Sequence, residues 1–302
     1  MASFRQLFFI AMFSCAFAIS FFGPDTAAPQ GTALPAPHPS GTGSSIRGVR
    51  VAGGQKLLAL TFDLCEGPRE TSGFDRDLVD FLEANSVKAT FFAGGKWMRS
   101  HPEQTMRLML DPLFEIGNHS WSHANFRLLG PGEAREEVVR AQEQYLALRE
   151  TLVRRLEARG AGADTAARVQ PSMRLFRFPY GACTAESLAL LAELEMPAIQ
   201  WDIVSGDASR GRSAAAIVST VLPRAKPGSI IIFHANGKGS GTLGALRELV
   251  PKLRGRGFEF ATVGELLASG DPVGVPECYE LHPGDNLRYD RLSRPSKRRP
   301  VH

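Results

Sequence analysis

Apolar residues fall along this chain in two rhythms. Runs of four to seven residues are dense in β-branched and aromatic side chains: Leu57–Phe62, Val87–Ala93, Phe114–Gly117, Arg174–Phe178, Ala198–Trp201, Ser229–Phe233 and Phe258–Thr262. Runs this short, bounded by polar, Gly or Pro residues, predict buried strands. Between them the apolar positions recur with a helical period. Asp75–Ala84 brings Leu78, Val79, Phe81 and Leu82 to one face. Gly132–Arg159 is long and charged, with Val138, Val139, Tyr145, Leu148, Leu152 and Leu156 at helical spacing, and Thr184–Glu195, Ser213–Arg224, Thr242–Arg256 and Gly264–Ala268 follow. About seven strands alternating with helices predict an α/β fold with a parallel sheet, closed or nearly closed into a barrel. Chemistry in such folds collects at the C-terminal ends of the strands.

The chain ends follow neither rhythm. MASFRQ carries one arginine and no acid, and Leu7–Phe22 is a weakly polar to apolar run. That run is short for a spanning helix and of the right length for a signal-peptide core, with Ala16-Phe17-Ala18 as a cleavage candidate. Residues 1–22 therefore read as a signal peptide or N-terminal anchor, which implies an exported protein: periplasmic, secreted or membrane-anchored. Residues 23–47 read as a Pro/Gly/Ser-rich linker, 48–270 as the catalytic domain, and 271–302 as an irregular Pro/Arg-rich tail.

Charge and cysteine content narrow the class. A formal charge of +4 on 302 residues, concentrated in the tail at Arg288, Arg291, Arg294, Lys297, Arg298 and Arg299, indicates no nucleic-acid partner. The leader or that basic tail offers association with an anionic envelope surface, against the plainer reading of a solvated end. The oligomeric state is left open. There are four cysteines, Cys15, Cys65, Cys183 and Cys278, and no C-x-x-C pair, which argues against a zinc–thiolate cluster.

Polar residues gather at five of the strand ends. Asp63 and Glu66 follow the first strand, within LALTFDLCEGP. His119 and His123 follow the third, within GNHSWSH, four apart, so that on a helical turn both rings face one cation. A hydrolytic zinc site takes three protein ligands and an open position, so two imidazoles need an acid; Asp63 and Glu66 provide a general base and a ligand. Bound water then has a pKa of about 7. Arg177 in RFPYG is placed to pair with Asp63 and hold it ionised, and the turn after it to aim the Tyr180 amide at an oxyanion. His234 closes the run SIIIF, and Asp207 is placed to fix its tautomer and raise its pKa.

Together these residues resemble the polysaccharide deacetylases, the family 4 carbohydrate esterases. The family's motifs TFDDGP, H-S/T-x-x-H, R-x-P-Y/F, D-x-x-D-W and L-x-H are matched in order by Thr61–Pro68, His119–His123, Arg177–Tyr180, Val204–Ala208 and Ile232–His234. The resemblance spans about residues 55–265. It implies a distorted (β/α) barrel, a divalent metal, zinc first with cobalt, nickel or manganese open, and removal of N-acetyl groups from hexosamines of a glycan. By position, Asp63 is the base, His119 and His123 metal ligands, Tyr180 the backbone oxyanion donor, Asp207 the tuning carboxylate and His234 the acid. Two departures stand out. Leu64 and Cys65 separate Asp63 from Glu66-Gly67-Pro68, which reads as an insertion with Glu66 as third ligand. Val204 and Ala208 replace the fourth motif's first Asp and its Trp, leaving the acyl group open. Cys65 and Cys183 each lie two residues beyond a motif, at the same barrel end, and are the expected disulfide. The alternatives are a catalytically weak glycan-binding relative and a metal amidase acting on a small molecule.

Overall fold

The structure, a computed structural model, describes residues 43–293. The leader, most of the linker and the end of the basic tail lie outside the described residues. Elements run in the order β1 (Ser45–Val51), β2 (Leu57–Leu64), α1 (Arg76–Ala84), β3 (Ala89–Ala93), α2 (Gly95–Ser100), α3 (Pro102–Leu110), β4 (Phe114–Asn118), α4 (Pro131–Ala158), α5 (Ala163–Arg168), α6 (Ala185–Glu193), β5 (Ala198–Ile199), β6 (Ile203–Val204), α7 (Ala214–Val221), β7 (Ile230–His234), α8 (Thr242–Gly255), β8 (Glu259–Phe260), α9 (Val263–Ala268), β9 (Gly270–Val275) and α10 (Arg288–Ser293). Single 3₁₀ turns lie at Phe126–Leu128, Pro179–Gly181 and Asp285–Leu287. Among the described residues no helix is long and apolar enough to cross a membrane.

The strands make a distorted barrel. Parallel ladders run β6-β7-β2-β3-β4. Single parallel bridges carry the circuit from Asn118 through Phe176 to Ala198 of β5. β8 pairs with the first two residues of β2. The expected strand Arg174–Phe178 thus contracts to one bridging residue. Its Phe176 amide and carbonyl bond Pro197 and Ile199, and Pro179 then forces the chain to turn.

β1 and β9 were not legible in the hydrophobic pattern. β1 lies parallel to β5 and antiparallel to β9, so strand structure begins within the expected linker and continues into the expected tail. β1 also presses on the foot of β7, where the Val49 amide donates to the Gly228 carbonyl at 3.0 Å. Gly228 has φ +84°, and a Cβ there would lie 1.6 Å from the Val49 carbonyl oxygen, so this crossing requires glycine. β9, GDPVGV, carries its proline on an edge strand and is mostly exposed, a composition that reads as loop until a partner strand is present.

The alternation along β2 sorts the core into two layers. Leu58, Leu60, Phe62 and Leu64 face outward beneath α1, α2, α3, α7 and α8, with the Phe62 ring stacked between Phe91 (5.3 Å) and Phe233 (5.6 Å). Ala59 faces inward to a second cluster with Phe92, Leu175, Ile199, Trp201 and Ile232. Thr61 and Asp63 share its parity. The aromatic and aliphatic layer fixes the pitch of β2, and with it the interior placement of Asp63.

Beyond β9 the chain turns back over the Pro179–Gly181 turn. Cys278 is buried there and bonded to Cys183, with Cα atoms 5.6 Å apart. This corrects the expected Cys65–Cys183 bridge: Cys65 is a buried free thiol, at the end of a strand that carries it to the interior. The bridge closes a loop spanning 95 residues. Replacing Cys183 and Cys278 together by serine is expected to cost about 2–4 kcal/mol, read as a lower denaturant midpoint with a steeper slope, because the unbridged denatured chain exposes more surface. Non-reduced peptide mapping that joins Cys183 to Cys65 rather than to Cys278 would contradict this pairing.

Candidate active site

The polar residues singled out in the sequence lie at the C-terminal ends of the parallel strands. Asp63 is the last interior-facing residue of β2 and is 4% exposed. One carboxylate oxygen accepts from Arg177 Nη1 at 2.8 Å, and the other stands 3.4 Å from His119 Nε2. Burial would raise the Asp63 pKa; His119, Arg177 and His234 outweigh it and hold the group below the ordinary carboxylate value.

Arg177 is fully buried, its guanidinium 4.0 Å from the centre of the Phe92 ring. Its remaining donors go to the carbonyls of Ile199 (3.3 Å) and Gln200 (3.2 Å). The same residue also organises the histidines through its backbone. Its amide donates to Asn118, and its carbonyl accepts from His119 Nδ1 at 2.9 Å. That bond places the His119 proton on Nδ1 and leaves Nε2 as a lone pair. Nε2 is buried and has no hydrogen-bond partner, an arrangement that a cation would satisfy.

His123 reaches the same point by a different local structure from the one expected. No helical turn forms after β4. Ser120 and His123 instead take left-handed backbone conformations, with φ 65° and 57°. The Ser120 amide bonds the Asn118 side chain, and the His123 amide bonds the Ser120 hydroxyl. The two imidazole centres lie 5.0 Å apart. Burial, then the neighbouring His119, pushes the His123 pKa well below the usual histidine value, which keeps the ring neutral.

The third member of this group is Cys65, and Glu66 stands apart from it. Ligand atoms of Cys65, His119 and His123 all lie within 4.8 Å of one another, and among the described residues they are the one His/Cys/Asp/Glu group so arranged. Alternation explains the exchange. Carried one residue past β2, it puts Cys65 on the interior face with Asp63 and turns Glu66 to the opposite face. There the Glu66 carboxylate accepts from the Ser72 amide (3.1 Å) and the Ser100 hydroxyl (2.8 Å), 3.7 Å from His101. Reading an insertion into the first motif hid this, because β2 simply continues through Leu64. Cys65 Sγ lies 3.4 Å from the Asn236 side-chain amide, and burial pushes the thiol up to about 12. Two neutral imidazoles and a thiol, one bearing an orphaned lone pair, make a donor set that suits a borderline-soft cation.

Beside Asp63 on the adjacent strand, His234 ends β7. Its Nδ1 lies 2.9 Å from Asp207 Oδ1, and its backbone amide donates to Asp207 Oδ2 at 2.7 Å. The Thr242 and Ser205 hydroxyls complete the Asp207 shell. Burial alone would lower the His234 pKa; Asp207 overrides it and raises the group above the ordinary histidine value. Tyr180 follows Pro179 in a left-handed conformation, φ 59°, its ring 4.5 Å from that of His123. Sequence pattern did not signal Asn286. It is buried and donates to the carbonyls of Tyr180 and Gly181. It lies in GDNLRY, a stretch that reads as a turn.

Removing one member of the Asp63–Arg177 pair leaves a buried charge unmatched. Arg177→Met is expected to lose about 3–5 kcal/mol of stability at neutral pH. The double variant Asp63→Leu/Arg177→Met is expected to recover most of that in chemical denaturation. Equal losses in both would show that packing, not charge, dominates at this position.

Residues 50–199 match the polysaccharide deacetylase family. A peptidoglycan-N-acetylglucosamine deacetylase of Bacillus cereus is 30% identical over 208 residues, 68% of this chain and 66% of that protein. A chitooligosaccharide deacetylase of Sinorhizobium fredii is 30% identical over 216 residues, 68% of this chain and 89% of that protein. Several other curated relatives are matched over only 30–40% of their length. Among solved structures, the Bc1960 peptidoglycan N-acetylglucosamine deacetylase, in complex with 4-naphthalen-1-yl-N-oxidanyl-benzamide, superposes with a TM-score of 0.60 at 26% identity, covering 74% of this chain and 93% of that one. The ordered motifs, the barrel and these similarities agree: the chain belongs to the polysaccharide deacetylase family.

Proposed function

We propose that this protein is a metal-dependent hydrolase that removes N-acetyl groups from hexosamine residues of an envelope glycan. The observation that carries this reading is the pairing of two groups with opposed electrostatics at neighbouring strand ends. Asp63 is held ionised and His234, its direct neighbour on the adjacent strand, is held toward its protonated form, with the unpartnered His119 Nε2 3.4 Å from the Asp63 carboxylate.

His119, His123 and Cys65 would hold a divalent cation, and their softness favours zinc or cobalt over manganese. When bound, such a cation polarises the acyl oxygen and acidifies a water. The protein's own groups then do the proton work. Asp63 Oδ2 takes a proton from the attacking water as the water oxygen bonds to the acyl carbon. The Tyr180 amide, in the left-handed turn beside His123, meets the charge that develops on the acyl oxygen. As the C–N bond breaks, His234 gives the proton on its Nε2 to the departing amine, while Asp207 at Nδ1 stabilises the imidazolium beforehand. Arg177 keeps Asp63 ionised and so available as a base, without touching the substrate itself.

Names of relatives support the substrate class: peptidoglycan N-acetylglucosamine in one case, chito-oligosaccharide in another. The N-terminal leader pattern supports an exported location where such glycans occur.

The reading predicts acetate release from N-acetylated chito-oligosaccharide or peptidoglycan fragments by zinc- or cobalt-loaded protein. The sign of the pH dependence follows from His234. As its pKa is raised, the protonated form, and the acid it supplies, persist above the ordinary value of about 6.5 and are lost as pH rises through the folded pKa. Asp207→Asn removes the group that raises it, leaving burial to lower it. The alkaline limb of kcat/KM should move down by about one pH unit or more. Loaded protein that binds these glycans but releases no acetate would instead make it a binding relative. An unmoved limb in Asp207→Asn would remove His234 from the acid role.

A further inference from the structure

The segment after β9 lies outside the residues matched to the family, yet it contacts both loops that build the mouth. On one side is the chain that follows His123. Arg127 donates from Nε to Asp290 (2.9 Å), from Nη1 to the Asn286 side-chain oxygen (3.0 Å) and from Nη2 to the Asn286 carbonyl (2.8 Å). The Asn125 side chain also donates to Asp290, at 2.8 Å. On the other side is the Pro179–Gly181 turn. The Asn286 amide nitrogen lies against three carbonyls, those of Tyr180 (3.3 Å), Gly181 and Cys278 (3.3 Å). The Tyr289 ring lies 5.1 Å from that of Tyr180, and the Cys183–Cys278 bridge ties the segment down two residues beyond the turn.

This turn needs outside support. Tyr180 is a bulky residue at φ 59°, a conformation that a side chain with a Cβ disfavours, and Gly181 beside it is also left-handed, at φ +55°. Two consecutive left-handed residues tilt the Tyr180 peptide away from an extended course. Their carbonyls are turned toward Asn286, which is 1% exposed and supplies donors where water does not reach. The Asn286 side chain is in turn fixed by Arg127. Asn286 is therefore bonded both to the carbonyls of the Tyr180–Gly181 turn and to the loop that carries His123.

We propose that Asn286 is a positioning residue for the Tyr180 amide: it holds the turn left-handed and couples it to the His123 loop. The proposal rests on the deacetylase reading for its effect on rate, and on geometry alone for its effect on the turn. Asn286→Asp keeps the shape and the acceptor but replaces the donating –NH₂ by oxygen. Asn286→Ala is a second variant without the buried acid. Arg288→Ala, which loses the Arg288 contacts with Glu280, the Asp285 carbonyl and Tyr289 in the same segment but no bond to the turn itself, reports on general loosening.

Two measurements decide it, both on the full chain loaded with zinc. In steady-state deacetylation of an N-acetylated chito-oligosaccharide, both Asn286 variants are expected to lower kcat about tenfold or more, with KM within about twofold, while Arg288→Ala changes neither. In hydrogen exchange, amides of the peptide spanning residues 178–184 should exchange about tenfold faster in both Asn286 variants and at the wild-type rate in Arg288→Ala. Unchanged exchange in both Asn286 variants would overturn the proposal, as would equal effects of Arg288→Ala. If wild-type protein releases no acetate, the deacetylase reading fails and exchange alone decides the placement of Asn286.

Discussion

A guanidinium sealed inside the barrel sets the terms for the rest of this structure. Arg177 has no contact with solvent, and a charge in that position is tolerated only when its donors are met. They are met by Asp63, by the carbonyls of Ile199 and Gln200, and by the face of Phe92. These partners come from three strands, so satisfying one side chain fixes the relative heights of β2, β3 and β5. The backbone of the same residue bonds Asn118 and His119, which extends the constraint to β4 and selects the tautomer of the buried imidazole. A single residue thus determines where a carboxylate is ionised and where a nitrogen lone pair is left open.

The proposed chemistry rests on two titrating groups held in opposed states at neighbouring strand ends. Burial disfavours charge on both. At Asp63 neighbouring cationic and polar groups win, and the acid stays deprotonated. At His234 the Asp207 carboxylate wins, and the base is held protonated further up the pH scale. Opposed shifts of this kind are what allow one site to accept and donate protons at a single pH. In the same mouth Cys65, His119 and His123 offer uncharged donors. This set differs from the carboxylate-containing one that the family motif implies, and it changes the kind of cation the site would favour.

Much of this was legible in the sequence because it depends on short-range pattern. The apolar runs located β2, β3, β4 and β7 within a few residues, and the helical period located α1, α4, α6, α7 and α8, because alternation and the 3.6-residue repeat survive without tertiary context. Asp63, Arg177, Asp207 and His234 were legible because a polar residue closing an apolar strand is costly without a partner. The failures have common causes. Glu66 was chosen by residue type where strand parity decided for Cys65. The histidine spacing was read as a helix, whereas Ser120 and His123 use left-handed backbone that sequence does not display. β1, β9 and the segment bearing Cys278 and Asn286 owe their structure to partners far away in the chain. β1 is broken by Arg47, Gly48 and Arg50, β9 carries Gly and Pro, and none of them shows a clear period; the disulfide was accordingly paired with the wrong cysteine.

The central claim is that β2 delivers a thiol, not Glu66, to the two imidazoles. The most direct measurement is the absorption spectrum of the protein titrated with Co²⁺. The account predicts a thiolate-to-cobalt charge-transfer band in the near ultraviolet that saturates at one equivalent, disappears in Cys65→Ser and persists in Glu66→Gln. Cobalt binding with no such band, or a band lost in Glu66→Gln and kept in Cys65→Ser, would contradict it.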